Sequence, residues 1–390
     1  MRIAPHLLNT STPPISAAYD SASAFLKAHP DKPLLDCAQG SPSSPPPDFL
    51  LKALSTESCD PKLAFRYGLN GGEAPLQSAL AAEIVRRRGA VDVTHEDIAI
   101  TSGCNLAFFA AGDEVIIPSP WYFNHQMALT MLGIKPVPLI ASPSQGFVPN
   151  PSDVPSLLSD RTRAIVLVSP NNPTGAIYPP DTLTEFFKIA EKHNLVLFLD
   201  ETYRDFIGAR PHSLFSRQLG ANWRNTLIHL FSFSKSYAIP GARLGAVVAD
   251  PTFITHLNKS LDTIQICPPR APQHALASVF TRYRPFIEQT ALELRERQEA
   301  FRAALPSSWR LASAGGYFAF VSHPYNVTAS EVCRYLASQH GCFGYSAPTT
   351  QGQRIADEQR WIRASVAAVT VAQMNDLRIA LLAADKYFAN

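Results

Sequence analysis

Short, almost wholly apolar runs alternate along this chain with longer segments whose apolar residues recur every three or four positions. The short runs lie at 98–101, 114–118, 164–168, 195–199, 227–231 and 244–248. Helical patterns such as 181–193 and 251–261 fall between or after them. Strands buried on both faces are apolar throughout, and parallel strands are usually joined by helices. The alternation therefore predicts an α/β fold in which helices cover both faces of a mostly parallel sheet.

The pattern changes in the last third of the chain. Helical stretches and isolated strand-like runs now alternate at 272–305, 316–321, 329–338 and 361–366, with a closing helix from 372. This mixture predicts a second, smaller α+β domain. A Pro- and Ser-rich segment at 41–47, which cannot be helical inside, indicates a crossing between domains. We expect a large domain at 48–275, a small domain at 276–390, and residues 1–47 packed with the small domain.

Composition narrows the class of protein. Hydrophobic residues make up 46% of the 390 residues and charged residues only 17%, which favours a globular protein with a large core. The net charge of +2 predicts no attraction to nucleic acid or to a membrane. No signal peptide and no apolar run of membrane-spanning length are evident, and the six cysteines lack metal-site spacing. We expect a cytoplasmic protein with reduced thiols and no metal site.

One polar loop carries a candidate for covalent chemistry. The apolar run 227–231 is followed by Ser232-Phe-Ser-Lys235, and Arg243 comes eight residues after the lysine. A lysine in this position can form a Schiff base, and Ser232 and Arg243 can hold a phosphate beside it. The other interpretation is a strand that ends in a surface loop with a solvated lysine. This segment alone leaves both interpretations open.

Two further strands end in polar loops. Asn172 lies in Asn-Asn-Pro-Thr-Gly and offers a side-chain donor held by the rigid proline behind it, although the same residues make an ordinary turn. Asp200 directly follows the run 195–199, and Tyr203 comes three residues later. A carboxylate there can keep a proton on the nitrogen of a pyridine ring, which makes the ring an electron sink. Asp200 can equally be a carboxylate at an exposed strand end.

Two more loops have weaker signals. The segment 101–105, Thr-Ser-Gly-Cys-Asn, follows a predicted strand, and backbone N–H groups at the start of a helix would bind an anion there. Three adjacent aromatic residues, Trp121, Tyr122 and Phe123, follow the run 114–118. They can fill the core, or one of them can stack on a planar ring.

Together these motifs resemble the fold-type I pyridoxal-phosphate (PLP) enzymes of the class I/II family, which is aspartate aminotransferase-like. The resemblance rests on Asn-Asn-Pro-Thr-Gly at 171–175, Asp-x-x-Tyr at 200–203 and Ser-x-Ser-Lys-x(7)-Arg at 232–243, in this order. It runs from Gly40 to Arg363. It implies a large domain with a mostly parallel seven-stranded sheet, the PLP-transferase type I fold, a smaller α+β domain, and pyridoxal 5'-phosphate as the cofactor.

The resemblance also implies a role for each residue that would contact the cofactor ring. Lys235 matches the lysine that forms the aldimine with PLP and then moves a proton. Asp200 matches the partner of the pyridine nitrogen, and Asn172 and Tyr203 match the residues that hydrogen-bond the ring oxygen. Tyr122, rather than Trp121, falls at the position that stacks on the ring.

A second group of residues matches the phosphate and substrate positions of the family. The implied phosphate-binding residues are Gly103, Cys104, Asn105, Ser232, Ser234 and Arg243. Tyr67 matches the tyrosine that reaches the phosphate of the neighbouring subunit, which implies a homodimer with shared active sites. Arg363 matches the arginine that grips the substrate α-carboxylate, with Asn172 beside it, and Gly40 matches the glycine that closes over the substrate.

The function that follows from the resemblance is transfer of an amino group between an α-amino acid and a 2-keto acid through the Lys235 aldimine. The same motifs suit a PLP-dependent lyase or synthase, because they position the cofactor and not the leaving group. A third hypothesis is a catalytically impaired family member with a binding role. Nothing in the sequence identifies the amino donor or the keto acceptor.

One departure from the family supports the third hypothesis. Only six residues, 106–111, separate Asn105 from Gly112, where the family usually has a full helix. Six helical residues would span roughly 9 Å, whereas a parallel crossover normally needs about a dozen residues. We expect the run 114–118 to join the large sheet nonetheless, because its apolar side chains must be buried. We expect the short crossover, a strained helix or an irregular turn, to weaken PLP binding.

Overall fold

The structure of the protein is a computed structural model, and it describes residues 4–90, 92–103, 113–208, 211–216, 222–346 and 360–389. Its strands, in chain order, are β1 Leu35–Asp36, β2 Ile98–Thr101, β3 Glu114–Ser119, β4 Lys135–Ile140, β5 Thr162–Val168, β6 Val196–Asp200, β7 Leu227–Ser232, β8 Gly245–Val248, β9 Arg310–Gly315, β10 Phe318–Ser322, β11 Cys342–Phe343, β12 Tyr345–Ser346 and β13 Trp361–Ser365.

The α-helices are α1 Pro5–Leu8, α2 Pro14–Ala28, α3 Asp48–Ser58, α4 Pro61–Ala64, α5 Ala74–Arg88, α6 Phe123–Met131, α7 Pro180–Lys192, α8 Phe233–Ser236, α9 Pro251–Gln265, α10 Arg270–Val279, α11 Arg284–Ala304, α12 Ala329–His340 and α13 Met374–Phe388. No helix in the described ranges combines the length and the apolar character needed to cross a membrane.

The large sheet confirms the predicted fold class. In the described part of the chain it has seven strands in the order β2-β8-β7-β6-β5-β3-β4. Five of them, from β7 to β4, run parallel, whereas β8 is antiparallel to both of its neighbours. Strand β3 pairs with β4 and β5, so the prediction that the run 114–118 joins this sheet is confirmed. Four strands separate β2 from β3 in the sheet, although these two are consecutive in the chain.

Alternate residues of each central strand point to opposite faces, and both faces are buried. On one face Ile116 and Leu199 belong to the largest apolar cluster of the described residues. On the other face Val115 and Phe198 pack in a separate cluster. Burial on both faces explains why these strands read as continuous apolar runs in the sequence.

Strand β4 is not among the strands that the apolar runs predicted. Its sequence contains Pro136 and Pro138, which cannot donate hydrogen bonds to a neighbouring strand. The structure accommodates both because β4 is the edge strand, paired with β3 on one side, in the described part of the sheet. Sequence patterns undervalue such edge strands because proline normally argues against a strand.

The second sheet is antiparallel and has the order β12-β13-β10-β9 in the described residues. Helix α11 packs on this region, with Leu294 and Phe301 in the same apolar cluster as Phe318. The expected single helical stretch at 272–305 is divided, because α10 ends at Val279 and α11 begins at Arg284. A proline at the start of α11 is compatible with the first turn of a helix but not with its interior.

The N-terminal segment joins the C-terminal part of the chain. Strand β1 pairs in parallel with β11, with Leu35 opposite Cys342. Helix α2 packs against α12, and Phe25 of α2 lies within 3 Å of the position that a Cβ on Gly341 would take. The stretch after β1 then leads to Gly40, at the boundary between the two sheets. The domain limits 1–47, 48–275 and 276–390 stay a prediction.

Candidate active site

A cavity of about 220 Å³ lies at the carboxyl ends of β5, β6 and β7. Eleven of the fourteen residues that the sequence singles out line it. These are Gly40, Gly103, Tyr122, Asn172, Asp200, Tyr203, Ser232, Ser234, Lys235, Arg243 and Arg363. Cys104 and Asn105 lie outside the described residues, and so does the short crossover at 106–111. Tyr67 lies apart from this cavity and is 77% exposed in the single chain.

Lys235 enters the cavity from a short helix that follows β7. Ser232 begins this helix, and its Oγ accepts a hydrogen bond from the backbone N–H of Ser234 at 3.2 Å. The Lys235 ammonium donates to the backbone carbonyl of Gly40. Burial, together with the positive charges of Arg363 and Arg243, lowers the pKa of Lys235 from 10.5 to about 8. The neutral, nucleophilic amine is therefore accessible near neutral pH.

Asp200 is the last residue of β6 and is buried. One carboxylate oxygen accepts from the backbone N–H of Thr202 at 2.9 Å and from its hydroxyl at 2.7 Å. The other lies 3.1 Å from Nε2 of His125. Burial alone would raise the pKa of Asp200, but His125 and Thr202 lower it below its ordinary value. The cavity therefore holds a fixed negative charge at this end.

His125 is a site residue to which the sequence reasoning assigned no role. Helix α6 starts directly after Tyr122, so His125 lies about one turn along it. The Tyr122 and His125 rings meet edge to face with centroids 4.9 Å apart. The Tyr122 hydroxyl also accepts a hydrogen bond from the Asn124 side chain at 2.7 Å. The spacing Tyr-x-x-His was the available signal, but it has meaning only once α6 is known to begin there.

A group of polar side chains lines the same cavity as the Asp200 carboxylate. Ser232, Ser234 and Arg243 line it together with Gly103. Arg243 donates to the carbonyl of Pro240 at 3.0 Å. Gly103 has a φ of +94°, and a Cβ there would collide with the Arg243 guanidinium. Glycine is thus required for the close approach of this backbone to the arginine.

Arg363 lies on β13 and is only 2% exposed. Its Nη1 donates to Oδ1 of Asn172 at 3.0 Å, and its Nη2 donates to the carbonyl of Ala38. The guanidinium also lies over the Phe318 ring, 4.3 Å from the centroid. These contacts fix a planar cation at the cavity wall, in an orientation that suits a carboxylate.

Tyr203 is a buried residue of the same cavity. Its ring packs against those of Tyr317 and Phe318, each with centroids 5.3 Å away. Burial, and to a smaller extent neighbouring Tyr122, raises the pKa of Tyr203 well above its ordinary value. The hydroxyl therefore stays protonated and can donate a hydrogen bond.

The chain matches a known family over most of its length. The model of "Aminotransferase class I and II" matches residues 33–381. The aspartate aminotransferase of Sulfolobus acidocaldarius is 30% identical over 224 residues, 55% of this chain and 54% of that protein. The glutamate-pyruvate aminotransferase of Escherichia coli is 31% identical over 216 residues, 52% of each chain. These matches span about half the length of the curated relatives.

Solved structures agree over nearly the whole chain. A single mutant of the Thermus thermophilus aspartate aminotransferase aligns with a TM-score of 0.85 and 24% identity, covering 99% of this chain and 100% of that one. The aspartate aminotransferase of Rhizobium meliloti aligns with a TM-score of 0.87 and 20% identity, covering 99% of both chains. At this level of identity the similarity establishes the fold.

Proposed function

Because the chain belongs to the aminotransferase class I and II family, we propose that it is a PLP-dependent aminotransferase. The reaction moves an amino group between an α-amino acid and a 2-keto acid. The observation that carries this proposal is the convergence of Lys235, Asp200, Asn172 and Arg363, from four separate segments, on one cavity.

The residues present fit pyridoxal phosphate. The hydroxyl groups of Ser232 and Ser234 with Arg243 suit a phosphate, and the buried Asp200 carboxylate suits a protonated ring nitrogen. Tyr122 lines the same cavity and offers an aromatic ring for stacking. When bound, PLP supplies an electron sink for the electrons released at the substrate α-carbon.

Ser232, Ser234 and Arg243 would hold the phosphate group, and Lys235 would hold the cofactor covalently. Asp200 keeps its negative charge because His125 and Thr202 support the ionised form. Asn172 and Tyr203 would donate hydrogen bonds to the ring oxygen. Hydrogen bonds within the protein already hold Lys235, Asp200, Asn172 and Arg243, so little reorganisation of these groups is needed on binding.

Lys235 has a second task in the proposal, which is to move the proton of the substrate α-carbon. A general base works best when its pKa lies near the working pH. The pKa of about 8 gives the Lys235 amine this property, since both protonation states are populated around neutral pH. Arg363 would bind the α-carboxylate and thereby orient the α-carbon toward this amine.

We further propose a cytoplasmic homodimer. Phe65, Tyr67 and Leu69 are 84%, 77% and 68% exposed, which is unusual for large apolar side chains that lie together. The loop they form contacts the end of α9, where Gly68 donates to the Cys267 thiol at 3.3 Å and Ile266 is 43% exposed. A second copy of the chain would cover this patch and receive Tyr67 beside its own phosphate group.

A donor screen tests the proposed reaction. The PLP-loaded protein is mixed with single amino acids, and the absorbance of the cofactor is followed without a keto acid present. Conversion to the pyridoxamine form with release of the matching 2-keto acid is the expected result. Release of ammonia with unchanged PLP would instead show a lyase and would overturn the proposal.

A further inference from the structure

A second cavity, of about 290 Å³, borders the turn that carries Asp200 and Tyr203. Those two residues line the active-site cavity, whereas Arg204 and Asp205 line this one. Its other walls come from the C-terminal half of α5, from α11 between Arg284 and Arg295, and from residues 207, 208 and 211. We call it the rear cavity. The proposed aminotransferase reaction uses none of its side chains.

The wall of the rear cavity carries more positive than negative charge in the described residues. Five arginines line it, namely Arg87, Arg88, Arg204, Arg284 and Arg295. Three acidic residues line it as well, and each of them has a basic partner. Arg284 binds Asp205 at 3.1 Å and Glu288 at 2.7 Å, and Arg87 lies 3.6 Å from Glu83. Arg88 is paired with Glu201, outside the lining, and Arg204 lies 4.0 Å from Asp205. Arg295 is therefore the one lining arginine without a carboxylate within salt-bridge distance among the described residues.

Arg88 is the most constrained of the five. It is only 7% exposed, and its Nη2 donates to Oε2 of Glu201 at 2.9 Å. Its Nη1 is also buried and has no hydrogen-bond partner among the described residues. An unsatisfied buried N–H group is destabilising, so native proteins almost always supply an acceptor. Arg88 lines the rear cavity, and an anionic oxygen there would provide one once binding uncovers Nη1, which has less than 1 Å² of accessible surface in the free protein.

The carboxylate behind Arg88 is itself firmly held. The same Glu201 oxygen lies 2.9 Å from Nε2 of His229 and 3.1 Å from Nε2 of His212. Glu201 therefore fixes the position of the Arg88 guanidinium through Nη2 before any ligand arrives. Arg295 of α11 also lines the cavity and is exposed, and no carboxylate lies within salt-bridge distance of it in the described ranges.

We propose that the rear cavity is a binding site for a small phosphate-bearing anion, held by Nη1 of Arg88 and the guanidinium of Arg295. Arginine is the side chain best suited to phosphate, because its planar donors match two phosphate oxygens and its charge is permanent. The cavity volume accommodates inorganic phosphate or a small phosphorylated metabolite. The ligand would sit directly behind the turn that positions Asp200 and Tyr203.

Calorimetric titration with inorganic phosphate tests the site. The protein is first loaded with PLP and freed of excess, so that the phosphate-binding group at Ser232 and Arg243 is occupied. Wild-type protein is expected to bind phosphate. Arg295→Gln and Arg88→Lys should each weaken binding by about tenfold, since a charge-assisted hydrogen bond is lost in both. Arg88→Lys keeps a positive charge beside Glu201.

The matched control is Arg302→Gln, an exposed arginine farther along α11 and outside the cavity, which should bind phosphate as the wild type does. If Arg88→Lys does not fold, the exposed Arg295 variant decides the question. The proposal is wrong if wild-type protein binds no phosphate, or if Arg295→Gln binds it unchanged. It is also wrong if only Arg243→Gln abolishes the signal, because the ion would then occupy the active site.

Discussion

Arg363 donates a hydrogen bond to Asn172 at 3.0 Å, and this contact connects the two main sheets at the wall of the active-site cavity. Asn172 follows β5 of the large sheet, whereas Arg363 belongs to β13 of the small one. In the proposed reaction these residues bind the cofactor ring and the substrate carboxylate respectively. A substrate whose carboxylate binds Arg363 is thereby positioned next to the cofactor ring.

The first prediction concerns this arginine. Arg363→Lys should raise the KM for amino acids by at least about tenfold, because an ammonium cannot replace the two parallel donors of the guanidinium. Steady-state kinetics with several donors, beside the exposed control Arg302→Lys, measure the effect. If the variant loses stability while its KM is unchanged, Arg363 has only a structural role.

The second prediction concerns the buried carboxylate. Asp200→Ala should bind PLP less tightly and lower kcat by roughly a hundredfold or more, because it removes the charge that stabilises a protonated ring nitrogen. Fluorescence titration gives the affinity and single-turnover absorbance gives the rate. An unchanged rate would show that Asp200 is no more than a carboxylate at a strand end.

The third prediction follows from the lowered pKa of Lys235. Between pH 8 and 10.5 the unfolded chain binds more protons at this lysine than the folded apoprotein does, so the folded state gains stability as the pH rises. Below pH 8 the full penalty of burying the charge remains. Lys235→Met apoprotein should therefore be more stable than wild type at pH 7, by up to roughly 3 kcal/mol, with the difference vanishing above pH 10.5.

Urea unfolding of the two apoproteins at several pH values measures this difference. The exposed Lys188 of α7 provides the matched control, Lys188→Met, which should show no such pH dependence. A constant difference between Lys235→Met and wild type across pH 7 to 11 would contradict the lowered pKa.

The fourth prediction separates two carboxylates that both bind arginine. Glu201→Ala should destabilise the fold by roughly 3–5 kcal/mol, because it leaves Arg88 buried without its counter-ion. Glu288→Ala, which removes an exposed partner of Arg284, should cost no more than about 1 kcal/mol. Denaturant unfolding gives both free energies. Similar losses in the two variants would rule out a special role for the buried network.

Much of the fold could be predicted because the central strands are buried on both faces. Such strands are apolar along their whole length, and their polar ends mark the edge where the cavity lies. The same reasoning missed β4, whose two prolines are tolerated only at an edge, and it merged α10 with α11 across a proline. Whether a strand or helix tolerates a proline depends on the neighbours of that proline in space, which a single sequence does not reveal.

The cavity was easier to predict than its supporting contacts. Lys235, Asp200 and Asn172 lie in recognisable motifs, so their shared location followed from the resemblance. His125 has no such motif, and its 3.1 Å approach to Asp200 depends on where α6 begins. The rear cavity brings together residues more than a hundred positions apart, which no local pattern encodes. The roles of the site residues and the domain limits stay predictions.

The fifth prediction concerns the short connection between Asn105 and Gly112. Strands β2 and β3 stand five strand positions apart, which corresponds to about 24 Å. We expect the short connection to be strained and to weaken PLP binding. Inserting a few apolar helical turns after Ala110 should remove this strain and tighten PLP binding, as measured by equilibrium dialysis. Weaker binding or loss of folding after the insertion would show that the short connection is part of the native design.

The residue to which PLP becomes attached decides whether the proposed Lys235 chemistry is right. Purified protein is mixed with PLP, reduced with borohydride, digested and analysed by mass spectrometry, with Lys235→Ala as the comparison. We predict a yellow protein that borohydride bleaches, with the label on Lys235, and no attachment or turnover in the folded Lys235→Ala variant. Labelling of another lysine, or normal catalysis by Lys235→Ala with PLP bound, would contradict this prediction.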